Sequence, residues 1–363
     1  MFAAMGDAAT SSRVLEHWPG SIVRYSSHDW LVASRGYEVL ARNLEAKEWE
    51  SIARIPAGRV RPLLYRMEPG RRLGRLGIRA YLQRDRDSFL AFSGRSIFYY
   101  HRELPSPVTI GEIRFGHAPL IQGCCVDDSG TCYYGEYSGT KRKKEGVCVW
   151  AWRPEWGAWR VFYRFPPKAI RHVHAVQFDP FWRKLWIATG DGDPESLVGY
   201  FEGATDAPAL VAVASGSQGA RAVSLIFTAD FVYWGSDAGK DTRETMNYIY
   251  RWSRRYGGVE RVAAVGGPVY YSTVDSRGRL FVSTAVEGSP SEKDAYARVW
   301  MSSSGTDWVE IGRWSKDHYP RLFGIPVFGN AVLSFPQGQM PAGKLCVTGE
   351  GVVGSPGTWI LEV

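Results

Sequence analysis

The sequence predicts an all-β chain that folds as a β-propeller built from four-stranded antiparallel meanders. Short runs of strand-like residues recur along the chain, and turns rich in Gly, Pro, Asp and Ser separate them. These runs group in fours, at a spacing typical of propeller blades. Segments with helical periodicity are nearly absent, and residues 37–48 form at most one short turn of helix.

The composition fits one large β domain over residues 1–363. Of the 363 residues, 45% are hydrophobic and 14% are aromatic, so the chain can bury a large core. It also contains 40 glycines. Many aromatic residues together with many glycines favour short strands joined by tight turns.

The repeat units follow one another along the chain, and the clearest of them lies at residues 117–166. The first strands of the three units that follow it are His172–Phe178, Ala222–Thr228 and Val269–Asp275, and weaker units near the ends of the chain begin with Ile22–Tyr25 and Leu76–Gln83. We predict seven blades, with six and eight as alternatives, because a closed ring removes most exposed sheet edges. The predicted blades lie at roughly residues 20–56, 76–115, 117–166, 171–215, 221–266, 268–316 and 322–360.

One turn carries a family resemblance. Residues 301–308 read Met-Ser-Ser-Ser-Gly-Thr-Asp-Trp and resemble the Asp-box S-x-D-x-G-x-x-W of BNR repeats, with Ser for Asp and a spacing one residue shorter. Residues 151–159 occupy the corresponding turn of the third unit. The chain is thus similar to sialidase-like propellers over most of its length. The resemblance implies that these turns are structural and lie on the face opposite the functional site.

The same resemblance suggests roles for particular residues. A retaining sialidase uses a tyrosine activated by a glutamate, and three arginines bind the carboxylate of its substrate. Tyr137 or Tyr270 would then be the tyrosine, and the arginines would be Arg79, Arg171 and Arg221. Residues 54–56, Arg-Ile-Pro, match part of the F/Y-R-I-P signature of that family.

The most informative stretch joins residues 171–179 to residues 185–193. His172 and His174 are two residues apart on a strand, so their side chains leave the same face. In a propeller, the starts of innermost strands and the loops after second strands lie on one face, around a central pit. Strand starts place there Arg79, His117, Arg171, His172, His174, Arg221 and Tyr270. Second-strand ends add Arg95, Glu136, Tyr137, Asp191, Asp193, Glu195, Trp234, Asp237 and Glu287.

These residue types suit an acidic glycan of the uronate or sialate kind, because an arginine fork pairs with a carboxylate through two parallel hydrogen bonds. Trp234 is the aromatic residue that we assign to stacking on the ligand. The predicted substrate-binding residues are Arg79, His117, Arg171, Arg221, Trp234, Asp237, Tyr270 and Glu287. The candidate catalytic residues are Glu136, Tyr137, His172, His174 and Asp191.

Two reaction classes and one non-catalytic function remain open. A polysaccharide lyase needs a base, a carboxylate clamp and an acid, and histidine, arginine and tyrosine meet these needs, with His172 or His174 as the base. A glycoside hydrolase needs two carboxylates that flank the scissile bond. The alternative is a propeller that binds a glycan or a protein without catalysis, so the sequence does not decide whether the protein is an enzyme.

A divalent metal ion is a further option for the pit. His117, His172 and His174, together with Asp191 or Glu136, offer the nitrogen and oxygen ligands that such an ion prefers. No other cofactor is predicted.

Other features exclude some partners. The formal net charge of +7 is modest, basic residues are scattered apart from residues 141–144, and no nucleic-acid-binding motif is present. No apolar run is long enough to span a membrane, and no signal peptide is visible, which points to the cytoplasm unless a leader was removed. The five cysteines are odd in number and predict buried free thiols. The sequence does not determine the oligomeric state.

Overall fold

The computed structural model describes residues 8–10, 12–46, 48–67, 76–138, 144–203, 207–317 and 330–363. Within these residues the strands form seven sheets, arranged as a seven-bladed β-propeller of four-stranded antiparallel meanders. The predicted fold class is therefore confirmed. We number the blades 1 to 7 in the chain order of their innermost strands.

The chain begins with two short strands, β1 (Ala8–Thr10) and β2 (Val14–Pro19). The strands of blades 1 to 3 follow: β3 (Ile22–Ser26), β4 (Trp30–Arg35), β5 (Glu38–Asn43), β6 (Glu50–Arg54), β7 (Ala80–Gln83), β8 (Ser88–Ser93), β9 (Ser96–His101), β10 (Val108–Glu112), β11 (Cys124–Val126), β12 (Cys132–Gly135), β13 (Cys148–Trp152) and β14 (Arg160–Arg164). A short helix, α1 (Val60–Arg66), lies between blades 1 and 2.

Blades 4 to 6 repeat the same four-strand order, and blade 7 is assembled from both ends of the chain. Their strands are β15 (Val173–Asp179), β16 (Lys184–Thr189), β17 (Leu197–Glu202), β18 (Ala209–Ser215), β19 (Leu225–Phe227), β20 (Phe231–Gly235), β21 (Asn247–Ser253), β22 (Gly257–Val265), β23 (Val269–Val274), β24 (Leu280–Thr284), β25 (Tyr296–Ser302), β26 (Val309–Ser315), β27 (Val332–Ser334), β28 (Gln337–Gly338), β29 (Lys344–Glu350) and β30 (Gly357–Glu362). Short 3₁₀ turns lie at Pro154–Trp156, Asp193–Glu195 and Gln218–Ala220.

Pairing between distant segments closes the ring. Strand β2 is the outermost strand of blade 7 and pairs antiparallel with β30, so that Val14 lies opposite Leu361. Strand β1 adds a fifth strand to blade 6, and β28 pairs in parallel with β3 of blade 1. The innermost strands of blades 1 to 7 contact one another in sequence, and β29 and β30 of blade 7 contact β3 of blade 1. The local sequence pattern does not predict β1 or β2, because their partner strands lie more than 300 residues further along the chain.

The core lies between adjacent blades rather than in one central layer. Side chains alternate between the two faces of each strand, and both faces of a blade are covered by its neighbours. Strand β8 shows the result, because all six of its residues are buried. Trp186 fills the space between blades 4 and 5. The five cysteines are free, and four of them are buried.

The helical turn expected within residues 37–48 is absent, since this segment contributes strand β5. Strands β4 and β5 join through a tight turn at Gly36 and Tyr37, where Gly36 has a φ of +67° that favours glycine. Ladder pairing with β4 and β6 therefore decides the conformation of the segment. The helix lies instead at α1, and no helix of the described residues is long and apolar enough to cross a membrane.

Candidate functional site

A cavity of about 540 Å³ opens on the face where the innermost strands begin, and we call it the pit. Its walls come from blades 1, 2, 3, 6 and 7 and from neighbouring loops. The larger polar and aromatic residues that line it are Arg24, Tyr65, Arg79, Arg95, His117, Tyr137, Tyr270, Tyr271, Asn330 and Glu350. Four of the predicted site residues thus share this cavity: Arg79, His117, Tyr137 and Tyr270.

Arg24 carries a buried positive charge at the pit wall. Its Nε donates to Oγ of Ser34 at 2.8 Å, and its Nη2 donates to the carbonyl oxygen of Ile78. Both partners are neutral. Burial lowers the pKa of Arg24 to about 10, although the charge of Glu350 partly opposes this effect. The guanidinium therefore stays charged at neutral pH in surroundings that hydrate it poorly.

Two further arginines line the same cavity. Arg79 places Nη2 at 3.9 Å from Oε2 of Glu350, a long and partly exposed ion pair. Arg95 donates from Nη2 to the carbonyl oxygen of Ile113 at 2.7 Å, which fixes the side chain through a neutral acceptor. Among the described residues that line the pit, Glu350 is the single carboxylate. The cavity therefore has an excess of positive charge.

Tyr270 lines the pit and pairs with Glu287, which is not one of the residues that line the cavity. The hydroxyl of Tyr270 donates to Oε2 of Glu287 at 2.6 Å, and Nδ2 of Asn330 donates to the same oxygen at 3.3 Å. Burial, together with the negative charges of Asp237 and Glu287, raises the pKa of Tyr270 well above its usual value. A side chain at Gly239 would collide with Glu287, so glycine is needed there for the carboxylate to take this position.

His172 immediately precedes β15, and His174 is the second residue of that strand. Their side chains lie next to each other, as their spacing predicts. Their Nε2 atoms are 2.7 Å apart, and Oδ1 of Asp191 lies 3.4 and 3.3 Å from them. The two side chains are almost fully buried, with 1% and 3% of their surface exposed. Burial lowers the pKa of His174 to about 4, although the neighbouring Asp191 partly opposes this effect.

Asp191 also binds two of the predicted substrate-binding arginines. Its Oδ2 lies 2.9 Å from Nη1 of Arg171, and its Oδ1 lies 3.4 Å from Nη2 of Arg221. Arg221 further pairs with Asp237 at 3.3 Å and with Asp241 at 2.8 Å. Both arginines are thus neutralised by carboxylates of this chain and are not available to bind a substrate carboxylate in this arrangement.

The histidine pair is adjacent to the pit but does not line it. Tyr137 connects the two, because it lines the cavity and its ring packs on His172 with 4.6 Å between ring centroids. His172 and His174 are absent from the described cavity wall. A role for either histidine as the base that contacts a ligand in the pit, as the lyase hypothesis requires, therefore has no support from this geometry.

Trp234 does not face the pit, contrary to the sequence-based assignment. Its side chain is 1% exposed, stacks on Tyr250 with ring centroids 5.9 Å apart, and donates from Nε1 to the carbonyl oxygen of Gly219 at 2.8 Å. The indole belongs to the core between blades 4 and 5. The sequence placed it at a strand end correctly, but the side-chain direction follows from packing.

Two predicted acids also have structural partners. Glu136 is buried and accepts hydrogen bonds from the backbone N–H of Cys148 at 2.9 Å and from Nε1 of Trp150 at 3.1 Å. Asp237 is buried beside Arg221, and burial raises its pKa well above the usual value. Neither residue lines the pit, so neither is placed to act on a ligand there.

The predicted metal ligands divide between the two regions. Among the described residues, His172, His174 and Asp191 form the group whose ligand atoms lie within 4.8 Å of one another. His117 is not part of this group and lines the pit instead. The alternative with Glu136 as a ligand does not match this group either.

Arg24, Tyr271 and Glu350 line the pit although they are not among the residues predicted from the sequence, and Arg95 lines it on the predicted face without a predicted role. Arg24 lies on the innermost strand of blade 1. Arg79 and His117 are predicted because the starts of innermost strands lie on the pit face. The same criterion points to Arg24, but the first unit is only weakly marked in the sequence. Glu350 ends strand β29, whose unit was too compact to divide into strands from the sequence.

Comparisons with known proteins support the fold and identify neither a family nor a function for this chain. No family model matches this chain, and no curated protein does so either. The chain is similar to the WD40 β-propeller domain of Doa1, with a TM-score of 0.57, 13% identity, and coverage of 98% of this chain and 97% of that one. It is also similar to a chain of the Mitotic Checkpoint Complex, with a TM-score of 0.57, 10% identity, and coverage of 100% and 98%. At such identities the likeness shows a propeller fold alone.

Proposed function

We propose that this propeller binds a small carboxylate-bearing ligand, of the uronate or sialate sugar kind, in the pit. The observation that carries the proposal is the presence of Arg24, Arg79 and Arg95 around one cavity in which Glu350 is the single described carboxylate. A guanidinium that is buried beside neutral acceptors gains most from a bound anion. Its planar fork also matches the two oxygens of a carboxylate.

The remaining lining residues fit a sugar acid better than a bare inorganic anion. Tyr65, Tyr137, Tyr270 and Tyr271 offer aromatic faces and hydroxyl groups around the charged centre. Small-molecule sites typically combine apolar and aromatic walls with a few polar groups, in cavities of about 300–1,000 Å³. The pit, at about 540 Å³, lies within this range.

Replacing Arg79 or Arg95 by glutamine is expected to weaken binding of the carboxylate sugar on the order of 10- to 100-fold, because each substitution removes a charge-assisted hydrogen bond. Isothermal titration calorimetry with glucuronate, galacturonate and N-acetylneuraminate measures this loss, and glucose serves as the uncharged reference. Arg183→Gln is the matched control, since the Arg183 side chain is largely exposed in the turn between β15 and β16.

The proposal is wrong if none of the three acids binds, or if glucose binds as tightly as the acids do. It is also wrong if Arg183→Gln weakens binding as much as Arg79→Gln. A variant of Arg24 would not test binding alone, because its buried guanidinium also supports the fold through hydrogen bonds to Ser34 and Ile78.

A second candidate function, hydrolysis of a glycoside of such an acid, is favoured by the hydrogen bond between Tyr270 and Glu287. In this reaction Glu287 would accept the phenolic proton while Oη of Tyr270 forms a bond to the anomeric carbon and the glycosidic bond breaks. The leaving oxygen needs a proton, and His117 and Glu350 are the titratable groups beside the arginines and tyrosines in the cavity lining that would supply it. Water would then release the sugar from Tyr270.

Tyr270→Phe and Glu287→Gln are expected to lower kcat/KM at least about 100-fold for such hydrolysis, because they remove the nucleophile and its base. The assay follows fluorescence release from the 4-methylumbelliferyl glycosides of N-acetylneuraminate and glucuronate. Binding of the free sugar acids by Tyr270→Phe should fall far less than kcat/KM does, because the variant keeps the aromatic face that lines the pit. If the parent protein releases no fluorophore, hydrolysis is ruled out for these substrates while the binding proposal is still judged by calorimetry.

A further inference from the structure

In the cluster of His172, His174 and Asp191, hydrogen-bond acceptors face one another, and no described residue places a donor between them. Binding of a carboxylate ligand in the pit does not explain this arrangement. Nδ1 of His172 lies 2.5 Å from the carbonyl oxygen of Ser138, and Nδ1 of His174 lies 3.0 Å from the carbonyl oxygen of Ala222. A carbonyl oxygen only accepts hydrogen bonds, so both Nδ1 atoms must carry the proton. In neutral imidazoles both Nε2 atoms are then acceptors.

Three acceptor atoms therefore converge on one small volume. The two Nε2 atoms are 2.7 Å apart, and Oδ1 of Asp191 lies 3.3 and 3.4 Å from them. Acceptors at such distances repel one another unless a cation lies between them. The arginine that approaches Oδ1, Arg221, satisfies the carboxylate but donates to neither imidazole in the hydrogen bonds of the described residues.

We propose that His172, His174 and Asp191 bind one divalent transition-metal ion of the Zn²⁺ class through the two Nε2 atoms and Oδ1. Bonds of about 2.0–2.1 Å to a tetrahedral ion separate its ligand atoms by roughly 3.3 Å, which the two nitrogen–oxygen distances already match. The two imidazoles would need to separate by about 0.6 Å from their present 2.7 Å. Donation from Nδ1 to a backbone carbonyl is the arrangement that commonly orients metal-bound histidines.

A metal ion at this cluster would link blades 3, 4 and 5 through its ligands and their hydrogen-bond partners. His172 reaches back to Ser138 in the loop after β12 of blade 3, and Asp191 follows β16 of blade 4. His174 is bonded to Ala222, just before β19 of blade 5. Two further carboxylates offset the charge of Arg221 beside the cluster, since Asp237 and Asp241 both pair with it. Binding of the ion should therefore stabilise the folded chain, independently of any ligand in the pit.

The test is a titration of the chelator-treated 363-residue chain with Co²⁺, whose visible absorption bands report the number and kind of its ligands, followed by competition with Zn²⁺. We expect one ion per chain, a spectrum typical of four-coordinate nitrogen and oxygen ligation, and a higher Tm. His172→Gln and Asp191→Asn should weaken Co²⁺ binding at least 10-fold. His117→Gln, which changes a histidine of the pit, should leave it unchanged.

Three results would overturn the proposal. The first is the absence of stoichiometric Co²⁺ binding by the parent protein, a measurement that does not depend on whether the variants fold. The second is an equal loss of Co²⁺ binding in His117→Gln. The third is an imidazolium at the cluster, seen in ¹⁵N NMR spectra of the metal-free protein and unchanged when Zn²⁺ is added, because a proton would then occupy the place of the metal.

Discussion

Replacing Asp179 by alanine is expected to lower the free energy of unfolding by about 3–5 kcal/mol, because it leaves a buried guanidinium without its partner. Oδ2 of Asp179 lies 2.6 Å from Nη1 of Arg254, and Oδ1 lies 3.0 Å from Nη2. The two side chains are 0% and 4% exposed. The carboxylate also accepts from the backbone N–H of Phe181 at 3.0 Å, so it joins the turn of blade 4 to blade 5.

Chemical denaturation monitored by tryptophan fluorescence measures this change. Asp128→Ala is the matched control, since Asp128 pairs with Arg183, whose side chain is 71% exposed, and such surface pairs contribute about 0–1 kcal/mol. The double variant Asp179→Leu with Arg254→Met should recover part of the loss, because it removes both buried charges. Equal effects of Asp179→Ala and Asp128→Ala would contradict the interpretation of the pair as a structural link between blades.

Trp234→Ala is expected to lower the free energy of unfolding by about 3–5 kcal/mol, as is typical when a large aromatic side chain is removed from a core. The indole packs between blades 4 and 5, stacks on Tyr250, and satisfies the carbonyl oxygen of Gly219. Trp234→Phe keeps most of the packing and loses the hydrogen bond, for an expected loss of roughly 1–2 kcal/mol. Denaturation curves of the two variants and of the parent protein measure the difference.

The same variants separate the packing role from the ligand-stacking role that the sequence suggested. A core residue affects stability, whereas a stacking residue in the pit would affect affinity for a sugar acid and leave Tm nearly unchanged. Trp156→Ala is the control, because Trp156 lies in an outer turn, partly exposed against Arg153 and Arg160. A Trp234→Ala variant with unchanged stability and weakened sugar binding would show that the indole faces the ligand.

The two halves of the pit face use similar residues in different ways. Arg171 and Arg221 come from strand starts of blades 4 and 5, where Asp191, Asp237 and Asp241 neutralise them. The arginines of blades 1 and 2 meet neutral acceptors or one distant carboxylate, and they border an open cavity. The same rule of strand position thus yields an internal ion-pair network on one side and a positively charged cavity on the other.

The sequence by itself determined the class of fold and the face on which the polar residues gather. The period-2 pattern of strands and the turns between them fix where each meander bends, and the propeller places all strand starts at one end. This is why the sequence alone places Arg79, His117, Tyr137 and Tyr270 on the face of the pit, and all four line the cavity. The spacing of His172 and His174 likewise placed both rings on one face.

Only the tertiary structure decided which of these groups are open to a ligand and which are satisfied by the chain itself. Pairing of Arg221 with Asp237, burial of Trp234 against Tyr250, and the addition of β2 to blade 7 all depend on segments that meet only when the ring closes. Periodicity reports the face of a strand on which a side chain lies, but charge neutralisation and packing depend on distances to residues of other blades. Those distances follow from how the blades pack, which a local pattern does not encode.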